Sequence, residues 1–190
     1  MRGFTLMELL VVMGITMMLS ASAIGYSRGG EDVLNVQISA QKILSDVNQV
    51  VSYSLSSPGR RSDPNKRYCG FGMHLTSGSR TYDIFGDVPS GSSCKNSNDI
   101  TKDKRFDASD EKLYVPAPTL KHSVIDSVKL IPSGTVINDI VFVPPDPTLY
   151  VNGATTTDKI EIVVRSERNE TRSVCVNPIG QTFSKTGLSC

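Results

Sequence analysis

The sequence predicts an α+β protein: a long N-terminal helix, with a membrane-spanning half and an amphipathic half, packed on an antiparallel β-sandwich-like head of about seven strands. Three observations lead to this class. An apolar run covers 4–26. In a second run, 31–57, apolar residues recur every three to four positions, the spacing of one helix face. After residue 60, short apolar segments are separated by Gly, Pro, Asn and Ser, which is typical of strands and turns.

The first predicted element is the apolar run 4–26, in which Glu8 is the only charged residue. As a helix of about 23 residues it would measure about 34 Å, enough to cross a bilayer core of about 30 Å. One ordinary explanation is a secretory signal peptide that is cleaved after Ala-Ser-Ala at 21–23, and another is a plain membrane anchor. Neither explains Glu8, because an acid in apolar surroundings costs free energy.

The second predicted element is an amphipathic helix over 31–57. Its recurring apolar residues are Val33, Val36, Ala40, Ile43, Leu44, Val47, Val50, Val51 and Leu55. The sequence Ser-Ser-Pro-Gly at 56–59 ends the pattern, since Pro and Gly disfavour a continuing helix. We expect the apolar face of this helix to pack on a globular head formed by 60–190.

The head is predicted to be built from strands, because its apolar segments alternate with a period of two or are rich in Val and Ile. A polar stretch at 89–112 is expected to be loop. The last three predicted strands form a meander, since only short turns separate them. The predicted strands are 68–75, 81–88, 123–131, 135–143, 159–166, 171–177 and 180–184.

An even number of cysteines behind an apolar N-terminal run predicts disulfides formed in an oxidising compartment. The four residues are Cys69, Cys94, Cys175 and Cys190, and no two of them have the C-x-x-C spacing of a zinc site. We expect Cys175 to pair with Cys190 and Cys69 with Cys94. Other pairings stay open at this point, because spacing alone does not select one connectivity.

Neither catalysis nor cofactor binding is predicted. The chain has no G-x-S-x-G and no H-E-x-x-H motif, and its two histidines, His74 and His122, belong to no cluster. The acidic stretch 98–111 contains Asp99, Asp103, Asp107 and Asp110. Their spacing is not that of an EF-hand loop, so we expect a solvated loop and no metal site, with calcium as the alternative.

Overall charge restricts the partners. The chain of 190 residues carries 20 basic and 19 acidic side chains, a net charge of +1. This balance argues against a protein that binds nucleic acid through its total charge.

The residues around Glu8 form a recognisable motif. Gly3, Phe4, Thr5-Leu6 and Glu8, followed by an apolar run, resemble the cleavage and methylation motif of type IV prepilins and of the pseudopilins of type II secretion systems. The resemblance implies that a prepilin peptidase cuts between Gly3 and Phe4, that 1–3 is a leader, and that Phe4 becomes N-methylated. It also implies that Glu8 acts in assembly, by neutralising the new ammonium group of a neighbouring Phe4.

The head carries a second resemblance. The segments "IVFVPPDPTLYVNG" and "IEIVV" followed by "RSVCVNPIGQTF" are similar to the GspH/FimT branch of minor pilins. Some members of that branch bind DNA through an arginine-rich closing hairpin. The matching turn here, 180–185, retains only Lys185 as a cation, which argues against DNA binding because phosphate contacts need several cations.

Together these resemblances imply a non-enzymatic minor pilin or pseudopilin without a cofactor. Its expected partners are a prepilin peptidase, other pilin subunits in a filament and, before assembly, the inner membrane. The expected localisation is the inner membrane, as a single-pass protein with its head outside the cytoplasm, and then a filament. The alternatives are a FimT-like DNA-binding minor pilin and a secreted β-domain with a cleaved signal. The choice between pilus and secretion filament stays open.

Overall fold

The computed structural model describes residues 5–56, 58–59, 62–63, 67–88, 104–107, 110–187 and 190, with side chains described in the helix over 6–22 and 30–56. Within these residues the helix is α1 (Leu6–Ser56). Within the described residues the strands are β1 (Gly70–Leu75), β2 (Tyr82–Asp87), β3 (Glu111–Lys112), β4 (Ser123–Ile131), β5 (Asp139–Val143), β6 (Thr148–Val151), β7 (Ala154–Thr155), β8 (Lys159–Ser166), β9 (Thr171–Val176) and β10 (Thr182–Thr186).

The described strands form two antiparallel sheets. The larger has the order β3-β2-β1-β5-β6-β7, and the smaller has the order β10-β9-β8-β4. In the smaller sheet β8, β9 and β10 form the predicted meander. A register shift between Ile125 and Ser127 interrupts the pairing of β4 with β8, a feature that bends a strand locally.

One buried apolar cluster joins the second stretch of α1 to both sheets. The helix contributes residues three or four positions apart, which places them on one face. β1 contributes Phe71, Met73 and Leu75, whose alternation follows the pleat of a strand. The helical members of the cluster are Ala40, Ile43, Val47 and Val50, each 0% exposed. The core therefore lies where this face of the helix meets the β-rich body.

A smaller apolar cluster lies on the other face of the larger sheet. It contains Phe85, Val141 and Tyr150, with Phe106 packed over them from the segment before β3. Gly72 of β1 permits this packing, because an added Cβ would lie 2.6 Å from the Phe85 ring and 2.7 Å from the Ile140 carbonyl oxygen. The stretch 89–112, which was predicted to be loop, therefore contributes the Phe106 side chain that covers this cluster and also contains the short strand β3.

The predicted fold class is wrong in its helix and in its strand count. Side chains of α1 are described in two helical stretches, 6–22 and 30–56, and only the second contributes residues to the core. Every side chain described over 5–22 is exposed, so the long helix does not pack as a unit on a sandwich. The described part of the body has two sheets, and it has three short strands, β3, β6 and β7, beyond those predicted.

The predicted membrane span is also corrected. Among the residues that the structure describes, no helix is both long and apolar enough to cross a membrane. This finding overturns the membrane-spanning half over 4–26 and the single-pass localisation in the inner membrane that depended on it.

Candidate functional site

The first stretch of α1 presents an apolar surface that nothing in the described chain covers. All of its large apolar residues are at least half exposed, and Leu6 reaches 84%. Isolated exposed apolar residues are common on proteins, but a continuous surface of this kind marks an interaction site. The exposed residues are Leu6, Met7, Leu9, Leu10, Val11, Val12, Met13, Ile15, Met17, Met18 and Leu19.

Glu8 lies in the first turn of this stretch and closes a capping box with Thr5. The Thr5 backbone N–H donates to Glu8 Oε2 at 3.2 Å, and the Glu8 backbone N–H donates to Thr5 Oγ1 at 3.3 Å. Such reciprocal bonds satisfy two N–H groups that a helix start leaves without partners. A carboxylate at this end of a helix is also favoured by the helix dipole.

The capping box is a role for Glu8 that the sequence reasoning missed. The pattern Thr5-Leu6-Met7-Glu8 before an apolar run is its signature, so the signal was present in the sequence. The box satisfies the Glu8 carboxylate locally within one chain. Gly3 and Phe4, the two predicted processing residues, lie outside the described residues, as does the leader 1–3.

The second stretch of α1 is held to the body by polar contacts as well as by the core. The Tyr82 hydroxyl donates to the Asp46 carboxylate, and Thr182 Oγ1 donates to Asn48 Oδ1 at 2.9 Å. Burial, together with the hydrogen bond to Asp46, raises the pKa of Tyr82 well above its ordinary value. Tyr82 therefore stays protonated and acts as a permanent donor to the helix.

Two tyrosines meet at the C-terminal end of the helix. The hydroxyl oxygens of Tyr53 and Tyr114 are 3.2 Å apart, and Gln49 Nε2 donates to Tyr53 at 2.9 Å. Burial and the hydrogen bond to Tyr53 raise the pKa of Tyr114 to about 12. These contacts fix the end of α1 on the body, so the first stretch is the part of the helix left for partners.

One of the two predicted disulfides is confirmed. Cys175 and Cys190 form a disulfide whose Cα atoms are 5.8 Å apart. The Cys190 backbone N–H also donates to the buried Glu161 carboxylate at 3.1 Å. Cys69 is disulfide-bonded, whereas Cys94, its predicted partner, lies outside the described residues.

The histidines and acidic residues do not assemble a metal site within the described part of the chain. His74 Nδ1 lies 2.6 Å from Asp139 Oδ1, and the Phe106 ring stacks on the imidazole with centroids 4.9 Å apart. His122 is exposed in the turn before β4, with a φ of 56°. The stacking of Phe106 on His74 attaches the segment before β3 to the larger sheet.

The structure describes only part of the acidic stretch 98–111, for which calcium binding was the alternative prediction. Asp99 and Asp103 lie outside the described residues. The Asp110 carboxylate accepts the backbone N–H groups of Val88 at 3.0 Å and Asp107 at 2.9 Å. Its oxygens are therefore used to hold the loop together.

Comparison of the chain with protein-family models, with curated proteins and with solved structures found no match. The family resemblance rests on the N-terminal motif and the head segments, and it stays a prediction.

Proposed function

We propose that this chain is a non-enzymatic subunit of a pilus-like filament, related to minor pilins and pseudopilins. In this proposal a prepilin-type peptidase removes 1–3 and Phe4 becomes the N-methylated first residue. The first stretch of α1 then packs against the same stretch of neighbouring subunits, and the β-rich body lies on the outside of the fibre.

The observation that supports the proposal is the uncovered apolar surface of the first helical stretch. Full burial of a large apolar side chain contributes about 1.5–3 kcal/mol, so covering half of these residues would contribute on the order of 10 kcal/mol. A partner helix with the same surface supplies such cover, since helices pack by interlocking their side-chain ridges. The stretch offers this surface on all sides, as a helix in the centre of a bundle does.

In this proposal Glu8 sets the axial register between the helices of neighbouring subunits. Within a bundle of apolar helices a carboxylate without a partner is costly, whereas a paired carboxylate is much less so. Removal of the leader creates an ammonium group at Phe4, four positions before Glu8. Pairing between the Glu8 carboxylate of one subunit and the Phe4 ammonium of its neighbour would select a single axial offset, as buried polar residues do in coiled coils.

The test separates the charge of Glu8 from its capping role. Glu8→Gln keeps the side-chain acceptor of the capping box but removes the charge, whereas Thr5→Ala removes the cap and keeps the charge. We expect Glu8→Gln to be processed normally and to be lost from filaments. Thr5→Ala should still assemble, with a helix start weakened by about 1 kcal/mol. N-terminal sequencing measures processing, and immunoblotting of sheared filaments measures incorporation.

Three results would contradict the proposal. A mature N-terminus at Ile24 would establish signal-peptide cleavage after 21–23. Normal incorporation of Glu8→Gln, or equal loss of incorporation in Thr5→Ala, would reduce Glu8 to a helix cap.

A further inference from the structure

A cleft lies between the second stretch of α1 and the segment that precedes β4. Its volume is about 360 Å³, within the range of pockets that hold small molecules. The helix side is lined by Ile38, Ser39 and Lys42, and the opposite side by Thr119, Leu120 and Lys121.

Both walls of the cleft are anchored in the body. On the helix, Val36 and Ala40 are buried in the turns that carry the lining residues. On the other wall, the Leu120 backbone N–H donates to the Arg80 carbonyl at 2.7 Å, and Thr119 forms an isolated bridge with Thr81. The cleft is therefore a preformed feature of the fold, which lowers the entropic cost of binding.

The mouth of the cleft is cationic. Lys121 is exposed and forms no ion pair with any described residue. Lys42 Nζ lies 3.9 Å from Asp46, a long contact, and the Asp46 carboxylate already accepts the Tyr82 hydroxyl. The lining contains no acidic residue among those described, so two ammonium groups face the cleft with little neutralisation.

Inside the cleft, Ser39 provides a buried hydroxyl group. Its side chain lines the cavity and is 2% exposed. A hydroxyl group in this position can donate a hydrogen bond to an acceptor that enters the cleft. Ser39 and Lys42 are three residues apart on the helix, and their side chains therefore point to the same side.

We propose that this cleft binds a small amphipathic anion, a carboxylate or phosphate headgroup on a short apolar tail. The headgroup pairs with the ammonium groups of Lys42 and Lys121 and accepts the Ser39 hydroxyl proton in a hydrogen bond. The tail covers Ile38, which is 62% exposed, and lies against Leu120. This inference is independent of the proposed filament, because the cleft lies on the second stretch of α1.

The first experiment locates binding on the full chain. Isoleucine δ1 methyl groups are labelled with ¹³C, and hexanoate, inorganic phosphate and 1-hexanol are titrated separately. We expect hexanoate to shift the Ile38 methyl signal saturably and to bind at least about tenfold more tightly than either phosphate or hexanol. Ile15, on the exposed apolar stretch, reports non-specific binding of the tail and should not follow the same curve.

The second experiment removes the charges. Lys42→Gln with Lys121→Gln should raise the hexanoate Kd about tenfold or more, because two charge-assisted contacts are lost. Lys185→Gln, an exposed lysine on β10, is the matched control and should leave Kd unchanged. If the double variant loses its cooperative melting transition, Lys121→Gln alone carries the test, since Lys121 lies outside the helix.

Three outcomes would overturn the inference. The first is a hexanoate Kd that is unchanged in the lysine variants. The second is an affinity for hexanol equal to that for hexanoate. The third is an Ile38 signal that moves with protein concentration and not with hexanoate, which would assign the cleft to a second copy of the chain.

Discussion

The contribution of Asp110, which lies directly before β3, to the stability of the fold depends on pH. Burial raises its pKa from 3.8 to about 6, although the hydrogen bonds from Val88 and Asp107 act in the opposite direction. Because the folded-state pKa is the higher one, protonation favours the fold. The stabilisation from this group is complete below about pH 3.8 and is lost as the pH rises through about 6.

We therefore expect Asp110→Asn to change the pH profile of stability. Between about pH 4 and pH 7.5 the free energy of unfolding of the native chain should fall, relative to the variant, by about 1 kcal/mol, a value reduced for the partial exposure of the group. Urea unfolding at several pH values measures this difference. Parallel profiles for the two proteins would show that Asp110 does not titrate in this window.

Glu8 and Thr5 show which contacts of individual residues can be predicted from the sequence. The spacing of Thr5 and Glu8 predicts a capping box as well as an acid in an apolar run, and the structure shows the box. The Asp46–Tyr82 bond could not have been predicted, because it joins positions that only the packing of α1 on β2 brings together.

Among the elements, strands with clear polarity patterns were predicted well. The predicted bounds 123–131 and 159–166 are those of β4 and β8. β3, β6 and β7 were missed, since they have only two to four residues and lack a readable period. The apolar face predicted for 31–57 is buried only in part, because its middle residues lie in the core while Val33 and Leu55 near its ends are 48% and 61% exposed.

Two isoleucines test which face of the second stretch of α1 is buried in the core. Ile43 is 0% exposed and belongs to the core, whereas Ile38 is 62% exposed. Ile43→Ala should lower the free energy of unfolding by about 2–5 kcal/mol, because it leaves a cavity. Ile38→Ala, the matched control, should change it by less than about 0.5 kcal/mol. Thermal or urea unfolding distinguishes them, and similar losses in both would contradict the assignment of the core face.

At the scale of the whole molecule, the chain combines a body with its own core and a helical stretch that contributes nothing to that core. The body contains both sheets and the second stretch of α1. The disulfide between Cys175 and Cys190 spans 15 positions and would stabilise the body by about 3 kcal/mol in the chain-entropy model. Stability and self-association should therefore be separable properties.

Deletion of residues 1–29 tests this separation. The melting temperature should change by less than about 3 °C, because the deleted side chains that are described are all exposed. Self-association, measured by sedimentation velocity, should disappear with the apolar surface. A large drop in melting temperature would mean that the first stretch packs on the body after all.

The contact between Asp32 and Arg168 has a mechanical consequence. Arg168 Nε, in the turn between β8 and β9, lies 3.1 Å from Asp32 Oδ2 near the start of the second stretch of α1. A tensile force applied along α1 from its N-terminal end reaches this ion pair before it reaches the buried residues. The pair would then carry the first part of the load and pass it to the hairpin of β8 and β9, whose ladder of hydrogen bonds lies in the smaller sheet.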